Sequence, residues 1–200
     1  MLTERAVELF RRAGYAVRIE CTAWNRAQTV VKSDPDGVVL NMARTPEREG
    51  DYIWLLKTGE LDYGIATADP SLRTLEAALQ KGMVAAVRGT PRVTELQAIG
   101  PERHIVQVND PEQAARMLTS GRVVAWYDTS TRIERFWPDG SNASSRPFFV
   151  PTRRIAGYLA AGFALRDEGR IRAQLEQAFT AMKADGSWAA IGRRYAGLAR

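Results

Sequence analysis

The feature that most constrains this chain's fold is the near-continuous alternation of short apolar runs with helix-like segments. Strands that alternate with helices predict an α/β fold with mainly parallel sheets. We count about nine strands and as many helices without an internal repeat, and two smaller sheets fit 200 residues more easily than one. The clearest runs are LDYGIATA (residues 61–68), MVAAV (83–87), HIVQV (104–108), RVVAW (122–126) and YLAAGFAL (158–165).

Charge and hydropathy exclude two classes of partner. The basic residues give a formal net charge of +5, but they lie in many separate segments with Asp and Glu among them. Nucleic-acid-binding domains cluster such residues on one face, so we predict a solvated surface and no nucleic-acid partner. No apolar run approaches the roughly 20 residues of a membrane helix. The N-terminal segment is typical of a helix and not of a secretory signal, since no apolar stretch and cleavage site follow a basic start.

Two further segments carry predictions about local structure. YAVRIEC (residues 15–21) alternates polar and apolar residues, which predicts a half-buried strand. Cys21 falls on the apolar side of that strand and is predicted to be a small buried residue. As the single cysteine it forms no intrachain disulfide. WPDGSNASSRP (residues 137–147) is rich in turn formers and predicts a loop.

The turn ARTPERE (residues 43–49) follows the apolar run GVVLNM (37–42) and begins a helix. Thr45 suits the N-cap and Pro46 the first helical position. Arg48 fits less well, because the helix dipole disfavours a cation in the first turn. Either an anion docks there against the guanidinium and the free backbone N–H groups, or Arg48 pairs with Glu49 or another surface acid. Local physics leaves these two interpretations even.

Other candidates also follow strand ends. In VRGTPR (residues 87–92), Gly89 lets the backbone approach a ligand, and Thr90 offers a hydroxyl or an N–H. The turn is not a P-loop, since no Gly-Lys-Ser/Thr follows it. Asp128 stands at the carboxyl end of a strand, where open α/β sheets bind ligands; it either caps the next helix or accepts hydrogen bonds from an ammonium group. Trp24, past another strand end, either joins the core or covers a ligand.

The sequence contains few motifs that indicate an enzyme. The single histidine, His104, is interpreted as a surface or structural residue, and the sequence has no Gly-x-Ser-x-Gly, no Cys/His metal spacing and no His-Glu-x-x-His. We therefore predict no metal, no cofactor and no triad chemistry. Acid–base catalysis by carboxylates alone stays open.

Taken together, the chain resembles the family 3 solute-binding proteins of ABC-type amino-acid uptake systems. The Arg-Thr-Pro-Glu-Arg segment and the closing helices are the more specific parts of the resemblance, and the others gain weight from their order. The matching segments are FRRAGYAVRIECTAWNRA (residues 10–27), DGVVLNMARTPERE (36–49), LEAALQKGMVAAVRGT (75–90), DPEQAARMLTSGRVVAWYD (110–128) and AMKADGSWAAIGRRYAG (181–197).

The resemblance implies a two-lobed α/β fold of the type II periplasmic-binding-protein kind, with the ligand in the cleft between the lobes. We place the crossovers near Gly64 and near Tyr158. Lobe one then comprises residues 1–66 plus 158–200, and lobe two comprises residues 67–157.

The resemblance also implies roles for single residues. Arg48 matches the arginine that binds the α-carboxylate of an amino acid, and Thr90 matches the Gly-Thr residue that meets the same group. Asp128 matches the acid that holds the α-ammonium. Position 43 is often a hydroxyl residue in the family, so alanine there implies one polar contact fewer. The remaining implied ligand contacts are Trp24, Asn41, Ala43 and Gly89.

The sequence departs from the family's pattern at its start. Family members have a strand and a ligand-touching loop before the first helix, with a secretion signal before that. This sequence starts at the helix, so we expect an N-terminally truncated lobe one that lacks a central strand.

The function implied by the resemblance is that of a monomeric periplasmic receptor, not an enzyme. It would bind an amino acid or a similar small polar carboxylate and deliver it to an inner-membrane ABC permease. One alternative is a cyclohexadienyl (arogenate/prephenate) dehydratase-like enzyme on the same fold, for which Glu20 and Glu60 are the nearest candidate acids. The other is a ligand-sensing domain of a regulator; the DNA-binding helix-turn-helix of such a regulator is absent from this sequence.

Overall fold

A computed structural model describes residues 2–137 and 147–196, the last two by their backbone alone. The predicted loop over residues 137–147 lies outside the described residues except for its two end positions. None of the helices in the described ranges is both long and apolar enough to cross a bilayer.

The described residues form eight α-helices, six strands and two short 3₁₀ turns. The helices are α1 (Leu2–Arg12), α2 (Trp24–Ser33), α3 (Leu75–Lys81), α4 (Pro91–Ile99), α5 (Pro111–Thr119), α6 (Ser130–Phe136), α7 (Glu168–Ala184) and α8 (Ser187–Ala196). The strands are β1 (Val39–Ala43), β2 (Ile53–Thr67), β3 (Val84–Val87), β4 (Ile105–Val108), β5 (Ala125–Thr129) and β6 (Phe148–Ala161). The 3₁₀ turns are Pro46–Arg48 and Glu102–His104.

The predicted α/β class is confirmed, but the sheet is mixed where we expected mainly parallel strands. β3 runs parallel to β4 and β5, while β1 pairs antiparallel with β6, and β2 pairs antiparallel with β5. The strands follow one hydrogen-bonded order, β1-β6-β2-β5-β3-β4, and do not form two sheets. β2 and β6 have 15 and 14 residues, and their C-terminal parts pair antiparallel with β5 and β1 respectively.

Two compact units divide the chain. Unit 1 comprises Met1–Thr22, Arg26–Gly59 and Ala156–Arg200, and unit 2 comprises Ala23–Asn25 and Glu60–Ile155. Apart from the short segment Ala23–Asn25, the chain passes from unit 1 to unit 2 within β2 and returns within β6. The lobe boundaries given in the sequence analysis stay a prediction.

The core of unit 1 forms between its helices and the strand segments of that unit. Ala6, Leu9 and Phe10 of α1 are buried, at the spacing that places side chains on one face of a helix. Leu9 and Phe10 pack with Leu55 of β2 and Leu175 of α7 in one cluster.

Unit 2 is built around strands with helices packed against them. All four residues of β3 are buried, which explains its uninterrupted apolar sequence. Helices α3 and α5 begin at capping side chains: Thr74 accepts a hydrogen bond from the backbone N–H of Ala77, and Asp110 from that of Gln113. The predicted cap at Asp110 is thereby confirmed.

The predicted strand over residues 15–21 is wrong. The segment has no regular secondary structure, Val17 and Ile19 are 39% and 40% exposed, and Cys21 is exposed where we expected a buried residue. Alternation produces a strand only where an open sheet edge supplies hydrogen-bond partners. This segment pairs with no strand in the part of the chain that the structure describes.

Candidate functional site

The turn after β1 holds Arg48. Thr45 occupies the N-cap position in an extended conformation, and Pro46 fills the first helical position, as the sequence predicts. Thr45 makes no side-chain capping bond, and its buried Oγ1 has no partner among the described residues. The backbone N–H of Arg48 donates to the Thr45 carbonyl at 3.0 Å. The predicted helix start is therefore a single 3₁₀ turn.

Glu49, the acid offered by the sequence as a surface partner of Arg48, is engaged by Arg44. The Arg44 Nε donates to Glu49 Oε2 at 2.8 Å, and this arginine holds the pKa of the Glu49 carboxyl below its usual range. The Arg44 guanidinium also lies over the rings of Trp54 and Tyr158, at 5.4 Å and 5.2 Å from their centroids. Arg44 therefore makes its own contacts within unit 1, with Glu49 and with two aromatic rings.

The Arg48 guanidinium is half-buried and held by neighbouring oxygen atoms. Its Nη2 donates to Gln28 Oε1 at 2.9 Å, and its Nη1 donates to the Ala43 carbonyl at 3.4 Å. Both acceptors are uncharged oxygen atoms, and the two bonds orient the guanidinium. A fork of N–H donors fixed in this way suits the two oxygens of a carboxylate.

Asn41 and Ala43 lie on β1 before this turn. Asn41 has a φ of +58°, a left-handed conformation that asparagine tolerates better than most residues, at an irregularity in the β1–β6 pairing. It lines a small apolar pocket of unit 1 together with Leu9, Leu40 and Leu159. Ala43 is buried, and its carbonyl accepts the bond from Arg48.

In unit 2 the sheet brings two of the predicted site segments to one edge. β3 and β5 are parallel, with Val84 opposite Ala125, so their carboxyl ends lie side by side. The Gly89–Thr90 turn follows β3, and Asp128 lies near the end of β5. Gly89 has a φ of +71°, which glycine adopts without strain. This edge is where ligands bind in open α/β sheets.

Thr90 and Trp24 flank the turn. Thr90 is buried at the N-cap position of α4, and its Oγ1 donates to the Val87 carbonyl at 2.6 Å. Trp24 is half-buried at the start of α2, and its Nε1 donates to the Gly89 carbonyl at 3.2 Å. The structure therefore places Trp24, Gly89 and Thr90 together in unit 2.

Asp128 is fully buried, and its charged neighbours are arginines. The Arg92 Nη2 lies 3.2 Å from Asp128 Oδ1, and the Arg132 Nη1 lies 3.8 Å from Oδ2. The backbone N–H of Thr129 donates to Oδ1 at 2.8 Å. Thr129, and not Asp128, occupies the N-cap position of α6. The Arg92 guanidinium also lies over the Tyr63 ring, 4.8 Å from its centroid.

Arg92 and Arg132 were not among the site residues predicted from the sequence. Arg92 stands in the first turn of α4, where the helix dipole disfavours a cation. Arg92 therefore shares the feature that marks Arg48 in the sequence, a cation in a first helical turn. Arg132 lies in α6, four residues after Asp128 of β5, and its Nη1 comes within 3.8 Å of that acid.

A second polar cluster supports the same part of unit 2. The buried Tyr127 hydroxyl donates to Glu95 Oε2 at 2.5 Å, and Arg153 pairs with Glu95 at 3.0 Å. Burial, with the Glu95 bond as a second cause, raises the pKa of Tyr127 above its usual range. The Tyr127 ring also makes an edge contact with Tyr63, whose face carries Arg92.

His104 and Glu20, which the sequence analysis considered as possible catalytic groups, lie in structural or surface environments. His104 Nδ1 lies 2.6 Å from the Leu79 carbonyl, an arrangement that fits a structural role. Glu20 is exposed and pairs with Arg18. Within residues 2–137 and 147–196, no group of three or more His, Cys, Asp or Glu side chains is arranged to hold a metal ion.

Comparison with known proteins identifies the fold. No protein-family model matches the chain, and no curated protein matches it by sequence. Among solved structures, an ancestral arginine-binding protein bound to glutamine has a TM-score of 0.82 and 18% identity, covering 96% of this chain and 85% of that chain. A histidine kinase sensor domain with similarity to periplasmic binding proteins has a TM-score of 0.82 and 16% identity, covering 96% and 83%.

A third solved structure bears on the enzyme alternative. The ancestral amino-acid-binding protein AncCDT-1, a precursor of cyclohexadienyl dehydratase, has a TM-score of 0.79 and 17% identity, covering 96% of this chain and 82% of that chain. At these identities the likenesses show the fold. The chain has the two-lobed α/β fold of periplasmic-binding-protein-like molecules.

Proposed function

We propose that this chain is a solute-binding receptor for an amino acid or a similar small polar carboxylate. The observation that carries the proposal is the Arg48 guanidinium, half-buried on a 3₁₀ turn and oriented by Gln28 and the Ala43 carbonyl. Truncating a charged partner of a buried carboxylate costs about 2–5 kcal/mol of binding free energy, or roughly 30- to several-thousand-fold in Kd.

Unit 2 supplies the other proposed contacts. The Gly89–Thr90 turn offers backbone close to the solute, and the Trp24 indole covers it beside that turn; the 3.2 Å bond between Trp24 and Gly89 supports this grouping. Asn41 and Ala43 are proposed strand-end contacts. The resemblance assigns the solute's ammonium group to Asp128, whose carboxylate lies within 4 Å of Arg92 and Arg132.

The cellular role follows from the same proposal. We propose a monomer that works in the periplasm and passes its solute to an ABC permease. The fold likeness to amino-acid-binding proteins supports this role.

Two alternatives are weighed by the structure and the comparisons. The dehydratase alternative has the AncCDT-1 likeness in its favour, but Glu20, one of its two candidate acids, is an exposed ion-pair partner of Arg18. The likeness to a histidine kinase sensor domain supports a receptor that signals. Such a receptor would use the same solute site, so the binding experiment below tests both receptor roles.

The test is a thermal-melt screen of the chain against amino acids and related carboxylates. A ligand that binds the folded state raises the melting temperature. We expect one class of carboxylates to raise it in the wild type and not in Arg48→Ala. Arg44→Ala is the matched control, because it removes a neighbouring cation that is already engaged by Glu49. A folded protein that no ligand stabilises, or an equal shift in Arg48→Ala, would refute the proposal.

A further inference from the structure

One face of α2 contacts the segment that carries Arg48. Gln28 and Lys32 lie four residues apart, a spacing that places side chains on the same face of a helix. The Gln28 Oε1 accepts a hydrogen bond from Arg48 Nη2 at 2.9 Å, and Lys32 Nζ donates to Asp51 Oδ2 at 2.8 Å. The Asp51 N–H in turn donates to the Arg48 carbonyl at 3.1 Å. The helix therefore holds this segment at two points, and all four residues belong to unit 1.

Of these two contacts, the bond between Gln28 and Arg48 is the one that bears on a ligand. The side chains of Lys32 and Asp51 are 47% and 54% exposed, and an ion pair this open to solvent contributes little. Gln28 and Arg48 are both half-buried, so water competes less for their hydrogen bond. Gln28 also binds the guanidinium itself, which is the group that the proposed function assigns to the carboxylate of the solute.

Gln28 is the stronger of the two oxygen acceptors described above for the Arg48 guanidinium. A hydrogen bond from N–H to oxygen is usually about 2.7–3.2 Å long. The bond to Gln28, at 2.9 Å, lies within that range, whereas the bond to the Ala43 carbonyl, at 3.4 Å, is longer. The two acceptors contact different terminal nitrogens, so together they fix the plane of the guanidinium as well as its position.

An arginine that is held before the ligand arrives favours binding. The arginine side chain has many rotamers, and a ligand that has to immobilise such a side chain loses part of its binding free energy. For one side chain that loss corresponds to roughly 2- to 12-fold in Kd. A guanidinium held in its plane also presents its N–H groups in the fork geometry that matches a carboxylate.

The chemical type of residue 28 matters as well as its position. The amide oxygen of Gln28 accepts a hydrogen bond and carries no net charge. A carboxylate at the same place would form charge-assisted hydrogen bonds to the guanidinium, which are about twice as strong as neutral ones. It would then compete with the carboxylate of the solute for Arg48.

We infer that Gln28 is a positioning residue of the carboxylate site: it holds the Arg48 guanidinium in a fixed plane for the carboxylate of the solute and adds no competing charge. The inference rests on the proposed function, in which Arg48 binds that carboxylate. Gln28 acts through Arg48 and needs no contact with the solute. It therefore affects the affinity for the carboxylate group in the same way whatever the rest of the solute is.

Calorimetric titration near neutral pH compares the wild type with Gln28→Met, which keeps the length of the side chain and loses the oxygen acceptor. The probes are glycine, alanine, glutamine, arginine, glutamate and succinate. We expect Gln28→Met to raise Kd by roughly 2- to 12-fold for every probe that the wild type binds. Arg26→Gln, at an exposed position of the same helix, is the control and should leave Kd unchanged. Wild-type affinity in Gln28→Met overturns the inference alone, whereas a wild type that binds none of the probes overturns the proposed function and the inference together.

Gln28→Glu separates positioning from general damage to the fold. Near neutral pH the introduced carboxylate pairs with Arg48, and we expect Kd to rise by about tenfold or more, while Arg26→Gln, which lowers the net charge by the same amount, should not change it. A solute that displaces the introduced carboxylate from Arg48 raises the pKa of that carboxyl, so affinity should recover as the pH falls toward about 4.5. The wild type over the same pH range is the baseline, because it includes the native acids Glu47 and Asp51. Wild-type affinity in Gln28→Glu, or weak binding with the pH dependence of the wild type, would refute the positioning role.

Discussion

Breaking the buried Arg92–Asp128 pair should destabilise the protein far more than removing both partners together. The Arg92 Nη2 and Asp128 Oδ1 atoms lie 3.2 Å apart, and the two side chains are 5% and 0% exposed. Asp128→Asn keeps a side-chain oxygen for the Thr129 N–H but leaves the Arg92 charge buried. Loss of one partner of a buried ion pair costs about 3–5 kcal/mol, which for a chain of this size lowers Tm by roughly 6–20 °C.

A double-mutant cycle measures the coupling. Arg92→Met, Asp128→Asn and the double variant are compared with the wild type by denaturant unfolding. We expect each single variant to lose several kcal/mol of unfolding free energy, and the double variant to lose much less than their sum. Additive losses, or single losses below about 1 kcal/mol, would show that the pair does not form in the folded protein.

Three other changes test the packing and charges of the structure. Gly64→Ala places a Cβ against a ring and a carbonyl of β6 and should cost about 1–3 kcal/mol of unfolding free energy; Gly50→Ala, with open space around it, is the control, and equal stability would contradict the packing. Thr90→Val loses the buried 2.6 Å hydrogen bond to the Val87 carbonyl and should lower the unfolding free energy by about 1–3 kcal/mol. Thr90→Ser keeps the hydroxyl and should retain most of that stability. Hydrogen bonds from two arginines of α1 lower the pKa of Glu8 from 4.5 to about 2, so its contribution to stability is present above pH 4.5 and is lost as the pH falls toward 2. Unfolding measured between those pH values should show a shallower loss in Glu8→Gln, and parallel curves would refute the ion pairs.

The sequence predicted the elements whose pattern is set by local burial. β3 is apolar without interruption because both faces are covered, and α5 begins at the Asp110 cap that the sequence indicates. The early parts of β2 and β6 were missed. In β2 an apolar beginning is followed by the exposed or half-buried residues Lys57–Glu60, and β6 carries Pro151 and two arginines before its apolar end. These strands continue because neighbouring strands supply hydrogen bonds, which local pattern does not record.

The opposite failure occurred at residues 15–21. Their alternation is as regular as that of a strand, but a strand also needs an edge to pair with, and pairing is a long-range property. Cys21 is exposed for the same reason. Sequence pattern therefore reports which face of a segment is apolar, without reporting whether a partner is present.

The candidate site was predictable in part. Arg48, Gly89 and Thr90 stand at turns that local chemistry marks, and the structure forms those turns. The surroundings of Asp128 were not foreseen, because they depend on Arg92 of α4 meeting an acid that lies more than thirty residues later in the sequence. The rule that flagged Arg48, a cation in a first helical turn, would have flagged Arg92 as well.

The most direct test of the central claim is a crystal structure of the chain with the carboxylate that most raises its melting temperature. We expect carboxylate oxygens about 2.7–2.9 Å from the Arg48 guanidinium nitrogens, the usual length of a charge-assisted hydrogen bond. A bound carboxylate that does not touch Arg48 would contradict the proposed receptor site.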